Sequence, residues 1–344
     1  MYQGNTKLRP GDTVSVISPS SDCAGRFVHV FELGISRLRE VFGLEVKEYP
    51  ATRKLAASFK ERAADIEAAF CDSQTKAVFA AIGGFDQMLV LKHVDWNLIK
   101  NNPKPFFGFS DNTSLHLMLF RLGIPSYYGG NVMNQFAWPP KMLPLTEKFA
   151  RYAFFDSGPK RLECSGTFNE VDIPWADTAF STSEKTYDTS PSWSWHGEGT
   201  VSGVLWGGCL EVLSNNLMAA NCLLPAELTT GSILALQTPE ELPSPFQCWS
   251  TLVALGERGF LQSLSAVLMG RPKGWFFNRQ LSPDERRAYR SEIEERALHA
   301  LRLYNSKALL VFNVDFGHTE PQIILPFGRR CTVNAYERWI EVVY

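Results

Sequence analysis

The sequence predicts an α/β protein whose first half builds a parallel β-sheet. Three observations support this fold class. Short apolar runs typical of buried strands alternate with stretches in which apolar residues recur every three or four positions, as in amphipathic helices. Glycine or serine follows directly where several of the apolar runs end. Because parallel sheets carry their functional groups at the carboxyl ends of the strands, we expect the site residues at these junctions.

The elements of the first half follow one another closely along the chain. The predicted strands are short apolar runs: Asp12–Ser18, Ala77–Ile82 and Pro105–Phe109. The predicted helices have apolar residues at helical spacing: Val28–Phe42, Glu61–Cys71, a helix that begins near Asp86, and Asp111–Leu122. This order of elements is that of a sheet with helices on both faces.

The second half has a different character. Residues 176–199 are rich in Ser, Thr and Trp, which is typical of a linker or of ordered surface loops. We therefore predict an N-terminal domain at 1–155, a linker with substrate loops at 156–200, and a C-terminal domain at 201–344. The elements predicted in this last domain are a helix that Gly207–Asn216 opens, a long helix at Pro283–Tyr304, and strands at Ser232–Leu236, Ala266–Met269 and Ala308–Val314.

Composition limits the function classes. The 344 residues include 34 basic and 36 acidic side chains, so the formal net charge is −2. This balance excludes a strong electrostatic attraction to nucleic acid or to an anionic membrane surface. The N-terminus lacks the pattern of a secretory signal, and no apolar run reaches the length of a membrane span. A soluble cytoplasmic protein is expected.

Cysteine spacing and glycine patterns give no sign of a cofactor. The seven cysteines include no C-x-x-C pair, which argues against structural zinc and against a disulfide framework. No nucleotide-binding fingerprint is present either. We expect reduced thiols and neither a metal nor an organic cofactor.

The most informative segment is FFGFSDNT at Phe106–Thr113. A buried strand ends there, a serine follows, and a helix begins at once. This order exposes the Ser110 hydroxyl at a helix N-terminus beside backbone N–H groups that can hold an oxyanion. Asn112 stands where a G-x-S-x-G elbow would have its second glycine. Two interpretations remain: Ser110 is a nucleophile, or it only caps the helix.

Two further features stand at predicted strand ends. The Gly83–Gly84 pair follows the second predicted strand and is either an ordinary turn or a second oxyanion donor. Among six histidines, His318 alone comes after a buried strand and before a loop punctuated by Pro and Gly. That position suits an active-site base, although a single histidine is as often a structural residue.

Taken together, these motifs resemble the LD-carboxypeptidase family of serine peptidases, which also includes the microcin C self-immunity hydrolases. The motifs are GDTVSVISPSS from Gly11, IGG at Ile82, GFSDNT around Ser110, LWGGCLEVL from Leu205 and GHTEPQIILPFG from Gly317. They occur in the family's order over nearly the whole chain.

The resemblance implies a flavodoxin-like N-terminal domain and a smaller C-terminal domain of mixed β/α, swivelling type. It also implies a Ser–Glu–His triad, with Ser110 as nucleophile and His318 as general base. The amides of Gly84 and Asp111 match the oxyanion donors. Substrates would be murein peptides with a D-residue or aminoacyl-nucleotide compounds, hydrolysed by a cytoplasmic homodimer.

One position departs from the family pattern. The triad glutamate should end the strand at Ser232–Leu236, but the residue there is Gln237. An amide can orient His318 but cannot stabilise an imidazolium by charge. Three possibilities follow: another acid replaces it, the enzyme works slowly as a Ser–His dyad, or the protein binds without turnover. The possible replacement acids are Glu240, Glu241, Glu211 and Asp315.

Substrate recognition is predicted from two further segments. Trp193 and Trp195 in SWSWH would share one face of an extended segment, where they could stack on a ligand or simply pack the linker. Arg271 follows a predicted strand and is a candidate for binding the substrate carboxylate. A lone arginine of this kind is otherwise an ordinary surface charge.

Overall fold

The computed structural model describes residues 7–177, 179–222 and 224–344. Residues 1–6, part of the segment that was read for a secretory signal, lie outside the described residues, as does Thr178 of the predicted linker. Within the described ranges, no helix has both the length and the apolar character needed to cross a bilayer.

The chain folds into two compact units. Unit 1 takes the chain as far as Ser157 and adds Ile173–Lys185 and Ile323–Gly328. Unit 2 consists of Gly158–Asp172, Thr186–Gln322 and Arg329–Tyr344.

Helices and strands alternate through most of the chain. The α-helices of the described residues are α1 Cys23–Arg26, α2 Val28–Glu40, α3 Phe59–Cys71, α4 Gln87–Leu91, α5 Trp96–Asn101, α6 Thr113–Arg121, α7 Pro144–Phe155, α8 Leu210–Ala219, α9 Pro245–Glu257 and α10 Pro283–Tyr304. The strands are β1 Thr13–Ile17, β2 Glu45–Glu48, β3 Thr75–Ala80, β4 Phe106–Gly108, β5 Ser126–Tyr128, β6 Pro159–Arg161, β7 Thr167–Phe168, β8 Asp188–Thr189, β9 Ser194–His196, β10 Thr200–Cys209, β11 Ile233–Gln237, β12 Ala266–Gly270, β13 Trp275–Phe276, β14 Arg279–Gln280, β15 Leu309–Val314, β16 Leu325–Phe327, β17 Arg330–Asn334 and β18 Trp339–Val343.

Unit 1 is built on a six-stranded sheet in the order β16-β5-β4-β3-β1-β2. Strands β1 to β5 are parallel, and β16 adds an antiparallel edge to β5. On one face, the rings of Phe79, Phe107 and Tyr127 stack across three neighbouring strands, with centroids 4.4 and 4.6 Å apart. This apolar stack packs β3, β4 and β5 together, and the loops that follow β3 and β4 hold the candidate site residues of this unit.

Unit 2 is built on an eight-stranded sheet in the order β6-β18-β17-β10-β11-β12-β15-β9. Its centre, β10-β11-β12-β15, is parallel, and antiparallel strands flank it on both sides. Helix α10 covers Pro283–Tyr304, as predicted, and begins at a capping box formed by Ser282 and Glu285. The predicted α/β class with a parallel sheet is therefore confirmed.

Two predicted helices are placed differently. The helix expected within Gly207–Asn216 begins only at Leu210, because β10 continues through Gly207 to Cys209. At Gly207, φ is +146°, and an added Cβ would lie 1.8 Å from the Ala235 carbonyl oxygen. Only glycine allows β11 to approach so closely. The helix expected from Asp86 is divided into α4 and α5 by a turn, with Asp95 capping α5.

Candidate active site

Ser110 lies at the junction between β4 and α6, in a single 3₁₀ turn at Ser110–Asn112. Its φ is +64°, a left-handed value that costs energy for a residue with a Cβ. The strained conformation is supported on both sides. The Ser110 N–H donates to the Tyr128 hydroxyl at 3.2 Å, and its carbonyl accepts from Thr113 Oγ1 at 2.7 Å. A helix cap has extended backbone instead, so this geometry favours a nucleophile elbow over a capping role.

The two residues after Ser110 point into the protein. Asn112 Nδ2 donates to the Ile82 carbonyl at 3.3 Å, and the Asp111 carboxylate accepts from the Gln87 N–H at 2.9 Å. Burial, together with repulsion from Asp86, raises the pKa of Asp111 to about 6. Both side chains therefore tie the serine turn to the loop that joins β3 and α4.

The β3–α4 loop lies against the serine. An added Cβ at Gly83 would be 3.0 Å from Ser110 Cβ and 3.2 Å from its Oγ, and one at Gly84 would be 2.0 Å from the Ser20 carbonyl oxygen. The amides of Gly84 and Asp111 have no acceptor among the residues that the structure describes. These two N–H groups are thus available to a ligand oxygen, as an oxyanion hole requires.

His318 follows β15 in unit 2. The strand carries a bulge, at which Asn313 has a φ of +64° and the pairing with β12 shifts register. The imidazole Nδ1 lies 2.6 Å from Gln237 Oε1 and 3.0 Å from the Thr238 carbonyl oxygen. Because a carbonyl oxygen can only accept, Nδ1 carries the proton, and the lone pair of the neutral ring is on Nε2.

The charge state of His318 follows from its surroundings. Desolvation lowers its pKa to about 4, with a further contribution from the positive charge of Lys273, while the Thr238 carbonyl and Asp172 act in the opposite direction. The imidazole is consequently neutral at pH 7. A neutral ring protonated at Nδ1 is the form that a general base needs.

Gln237 is the last residue of β11 and is buried. Two glycines flank it closely. A Cβ added at Gly270 would lie 3.1 Å from Gln237 Cβ, and one added at Gly317 would lie 2.8 Å from the same atom. The side chain is thus held in a narrow space beside the imidazole. The position at which the family pattern has a carboxylate is occupied by a neutral amide that serves as hydrogen-bond acceptor.

The acids proposed as replacements have other surroundings. Glu240 lies 3.9 Å from Lys273 Nζ, and the buried Lys273 also forms an ion pair with the half-buried Asp172. Desolvation raises the pKa of Glu240 to about 7 against the attraction of Lys273, and burial and Glu241 raise the pKa of Glu211. A carboxylate with a raised pKa holds its negative charge less firmly, which weakens the case for a substitute acid.

Asp315 has a structural function. Its carboxylate is fully buried and accepts from Arg271 Nη2 at 2.8 Å and from the Trp193 indole N–H at 2.8 Å. Arg271 is only 1% exposed and also donates to Ser190 Oγ at 2.6 Å. This burial argues against the predicted binding of a substrate carboxylate, since the guanidinium is already neutralised inside the protein.

The two tryptophans are neighbours on the edge of the unit 2 sheet. Strand β9 pairs antiparallel with β15 and brings Trp195 opposite Val311. The rings of Trp193 and Trp195 have centroids 6.2 Å apart, which agrees with the expectation that they share one face. Both residues are partly exposed, so their rings are accessible in part to a ligand.

Sequence reasoning missed several residues next to the candidate groups of each unit. The Tyr128 hydroxyl, the Thr238 carbonyl and the Lys273–Asp172 pair all lie beside the candidate groups. Lys273 had a usable signal, since it is a basic residue just past a buried strand. For the others the chain offers no local pattern, because their positions depend on contacts between distant segments.

Comparison with known proteins covers both halves of the chain. A family model described as the LD-carboxypeptidase N-terminal domain matches residues 14–129, and one described as the LD-carboxypeptidase C-terminal domain matches residues 202–333. The first match contains Gly84 and Ser110, and the second contains Gln237 and His318.

Individual relatives match over nearly their full length. A Treponema pallidum protein named as a carboxypeptidase is 30% identical over 97% of this chain and 93% of its own. A Bacillus subtilis protein named as a murein peptide carboxypeptidase is 27% identical over 96% of this chain and 91% of its own. Among solved structures, an MccF-like protein from Streptococcus pneumoniae in complex with AMP superposes with a TM-score of 0.84 at 26% identity, covering 96% of this chain and 98% of that one.

Proposed function

Because the chain belongs to the LD-carboxypeptidase family of peptidases, we propose that it is a serine hydrolase that cleaves an amide through an acyl-enzyme. The observation that carries this proposal is the left-handed backbone of Ser110, φ +64°, at the turn from a buried strand into a helix. Backbone strain of this kind is retained where it presents a reactive side chain.

In the proposed reaction, Ser110 Oγ attacks the carbonyl carbon of the scissile amide while Nε2 of His318 takes the hydroxyl proton. The carbonyl oxygen becomes an oxyanion that accepts from the amides of Gly84 and Asp111. His318 then gives the proton to the leaving nitrogen as the C–N bond breaks. Water attacks the resulting ester with His318 again as base, which releases the acid and restores the serine.

We propose that Gln237 orients the His318 ring as the triad acid would, but supplies no negative charge. The 2.6 Å contact with Nδ1 supports the orientation of the ring and its tautomer. Replacement of the acid by an amide costs on the order of 10⁴ in kcat in a well-studied serine protease. The enzyme is therefore expected to be slow, unless Glu240 supplies the charge.

The substrate is proposed to be small, with a free carboxylate near the scissile amide. Two similarities support two classes: the Bacillus subtilis relative is named for murein peptides, and the Streptococcus pneumoniae structure holds AMP. Trp193 and Trp195 are proposed to contact this substrate. We further propose a cytoplasmic homodimer and domains bounded at residues 155 and 201, as expected from the sequence.

A serine-reactive fluorophosphonate tests the mechanism directly. Intact mass should show one adduct per chain in the native protein and none in Ser110→Ala. The matched control is Ser36→Ala on α2, which should label like the native protein. Absence of an adduct in a sample whose circular dichroism shows a folded protein would overturn the proposal.

A second candidate, a binding protein without turnover, is favoured by the neutral amide at Gln237. Its distinguishing result would be tight binding of aspartyl sulfamoyl adenosine, a stable analogue of an aminoacyl nucleotide, by a protein that neither labels nor hydrolyses amides.

A further inference from the structure

Phe85 is a large apolar side chain left in solvent on the β3–α4 loop, the loop that lies against the candidate nucleophile. Its side chain is 79% exposed, and it comes two residues after Gly83, the residue that lies against Ser110. Consecutive Cα atoms are about 3.8 Å apart, so the Cα atoms of Gly83 and Phe85 are separated by at most about 7.6 Å. Phe85 is thus held close to the residue that lies against the serine turn.

The loop that carries Phe85 is held on both sides. Before it, Gly84 packs against the Ser20 carbonyl. After it, Asp86 forms a bidentate ion pair with the buried Arg62, with N–O distances of 2.8 and 2.7 Å. The Gln87 amide that follows donates to Asp111. The backbone at Phe85 is therefore fixed, and the exposure of the ring does not result from a loose loop.

Packing against other side chains does not explain why a phenylalanine stands at position 85. Phe85 makes no ring–ring or cation–π contact within the residues that the structure describes. Its place before the first turn of α4 is that of a hydrophobic staple, in which it would cover Val90. Val90 is fully buried by other groups while Phe85 stays in solvent, so the staple is not formed.

We propose that Phe85 is a specificity-determining residue that contacts an apolar or planar group of the substrate next to the scissile amide. This inference rests on the proposed function, since it takes Ser110 as the reacting residue. A rigidly held aromatic ring offers a large contact area at a small cost in conformational entropy. Leu89, one turn further along the chain and 37% exposed, adds a second apolar side chain in the same segment.

Binding is measured in the Ser110→Ala protein, so that the result does not depend on turnover. The probes are a murein tetrapeptide that ends in D-alanine and aspartyl sulfamoyl adenosine, each titrated by calorimetry. Phe85→Ala should raise the dissociation constant of at least one probe about tenfold, the loss expected for one aromatic contact. Phe85→Tyr, which keeps the ring, should restore binding.

Two controls separate this outcome from other causes. Phe246→Ala removes another exposed phenylalanine, 62% exposed on α9, and should leave both dissociation constants unchanged. With Ser110 intact, the circular dichroism of Phe85→Ala should match that of the native protein, which shows that the ring is removed without a change of fold.

The result that would overturn the proposal is equal dissociation constants with and without the Phe85 ring, or no binding of either probe to the Ser110→Ala protein. Failure of the native protein to label with fluorophosphonate would instead contradict the serine mechanism. In that case the calorimetric comparison would still decide whether Phe85 contacts the ligand.

Discussion

At the scale of single residues, the arrangement around His318 separates two functions that a triad acid normally combines. Gln237 and the Thr238 carbonyl both accept from Nδ1, which orients the ring and fixes its tautomer. Neither group carries a charge, and nearby Lys273 disfavours the protonated ring. In the proposed mechanism, Gln237 thus orients the ring but does not stabilise the imidazolium, which slows the step in which the ring accepts a proton.

Restoring the carboxylate should therefore raise the rate of amide hydrolysis. In Gln237→Glu, a negative charge within hydrogen-bond distance of Nδ1 stabilises the imidazolium. We therefore expect kcat to rise, by as much as about 10⁴-fold. The same charge raises the pKa of His318 above its native value of about 4. The acidic limb of the profile of kcat/KM against pH should move to higher pH, which rate measurements from pH 3 to 8 would detect.

The control for this prediction is Glu240→Gln. If Gln237 is only an orienting group, this substitution leaves the native rate nearly unchanged and Gln237→Glu alone changes it. A large loss of activity in Glu240→Gln, with no gain in Gln237→Glu, would show that Glu240 supplies the missing charge.

At the scale of elements, the β3–α4 loop and the serine turn fit together with little free space. In Gly83→Ala, the new Cβ would lie 3.0 Å from Ser110 Cβ and 3.2 Å from Oγ. These contacts involve a side chain, so the protein should fold while the serine is displaced. We expect fluorophosphonate labelling to slow at least tenfold, with a small change in the free energy of unfolding.

Gly84→Ala provides the contrast, because its Cβ would meet the Ser20 carbonyl oxygen at 2.0 Å and neither backbone can yield easily. Here we expect a loss of stability of about 3 kcal/mol in urea unfolding. Gly166→Ala is the neutral control, since no atom lies within 4 Å of its added Cβ. Equal labelling rates in Gly83→Ala and Gly166→Ala would contradict the close fit at Ser110.

The elements that sequence patterns predicted well are those with strong local signals. Strands β4 and β12 are continuous apolar runs that end at Gly, and α10 is bounded by a capping serine and an asparagine. Ser110 and Gln237 could be located because each stands next to such a run. In these cases local chemistry and the final fold agree.

Other features depend on contacts between distant segments, which leave no local pattern. Strand β16 joins the unit 1 sheet by pairing with β5, nearly 200 positions earlier in the chain. The burial of Arg271 is similar, because Asp315 and Ser190 neutralise and cover a residue that looks like an ordinary loop arginine in the sequence. Charge alone therefore could not distinguish a ligand-binding arginine from a structural one.

At the scale of the whole molecule, the two units each have a parallel sheet whose carboxyl ends carry the candidate groups. In unit 1, β3 and β4 are followed by Gly84 and Ser110, and in unit 2, β15 is followed by His318. A buried histidine also contacts β4, the strand that leads into the serine turn. His116 on α6 lies 2.8 Å from the Gly108 carbonyl oxygen through Nε2 and 2.7 Å from Ser126 Oγ through Nδ1.

This histidine should make the protein sensitive to acid. Burial lowers the pKa of His116 to about 3, so the folded state binds fewer protons than the unfolded state between pH 6.5 and pH 3. The contribution of His116 is complete above pH 6.5 and is lost as the pH falls, by about 1.4 kcal/mol per pH unit. From pH 6.5 to 5 the loss amounts to about 2 kcal/mol.

Two buried acids oppose this loss of stability over part of the pH range from 6.5 to 3. The pKa values of Asp65 and Asp111 are raised to about 6, so protonation of these groups favours the folded state as the pH falls from 6 toward 4. The stability of the native protein as a function of pH is therefore a sum of these contributions, and the contribution of His116 has to be isolated by comparing two proteins.

His116→Gln keeps a hydrogen-bonding side chain but does not titrate. Urea unfolding should show it less stable than the native protein at pH 7, with a gap that narrows by about 2 kcal/mol at pH 5. A gap that stays constant with pH would mean that His116 is not a buried neutral imidazole.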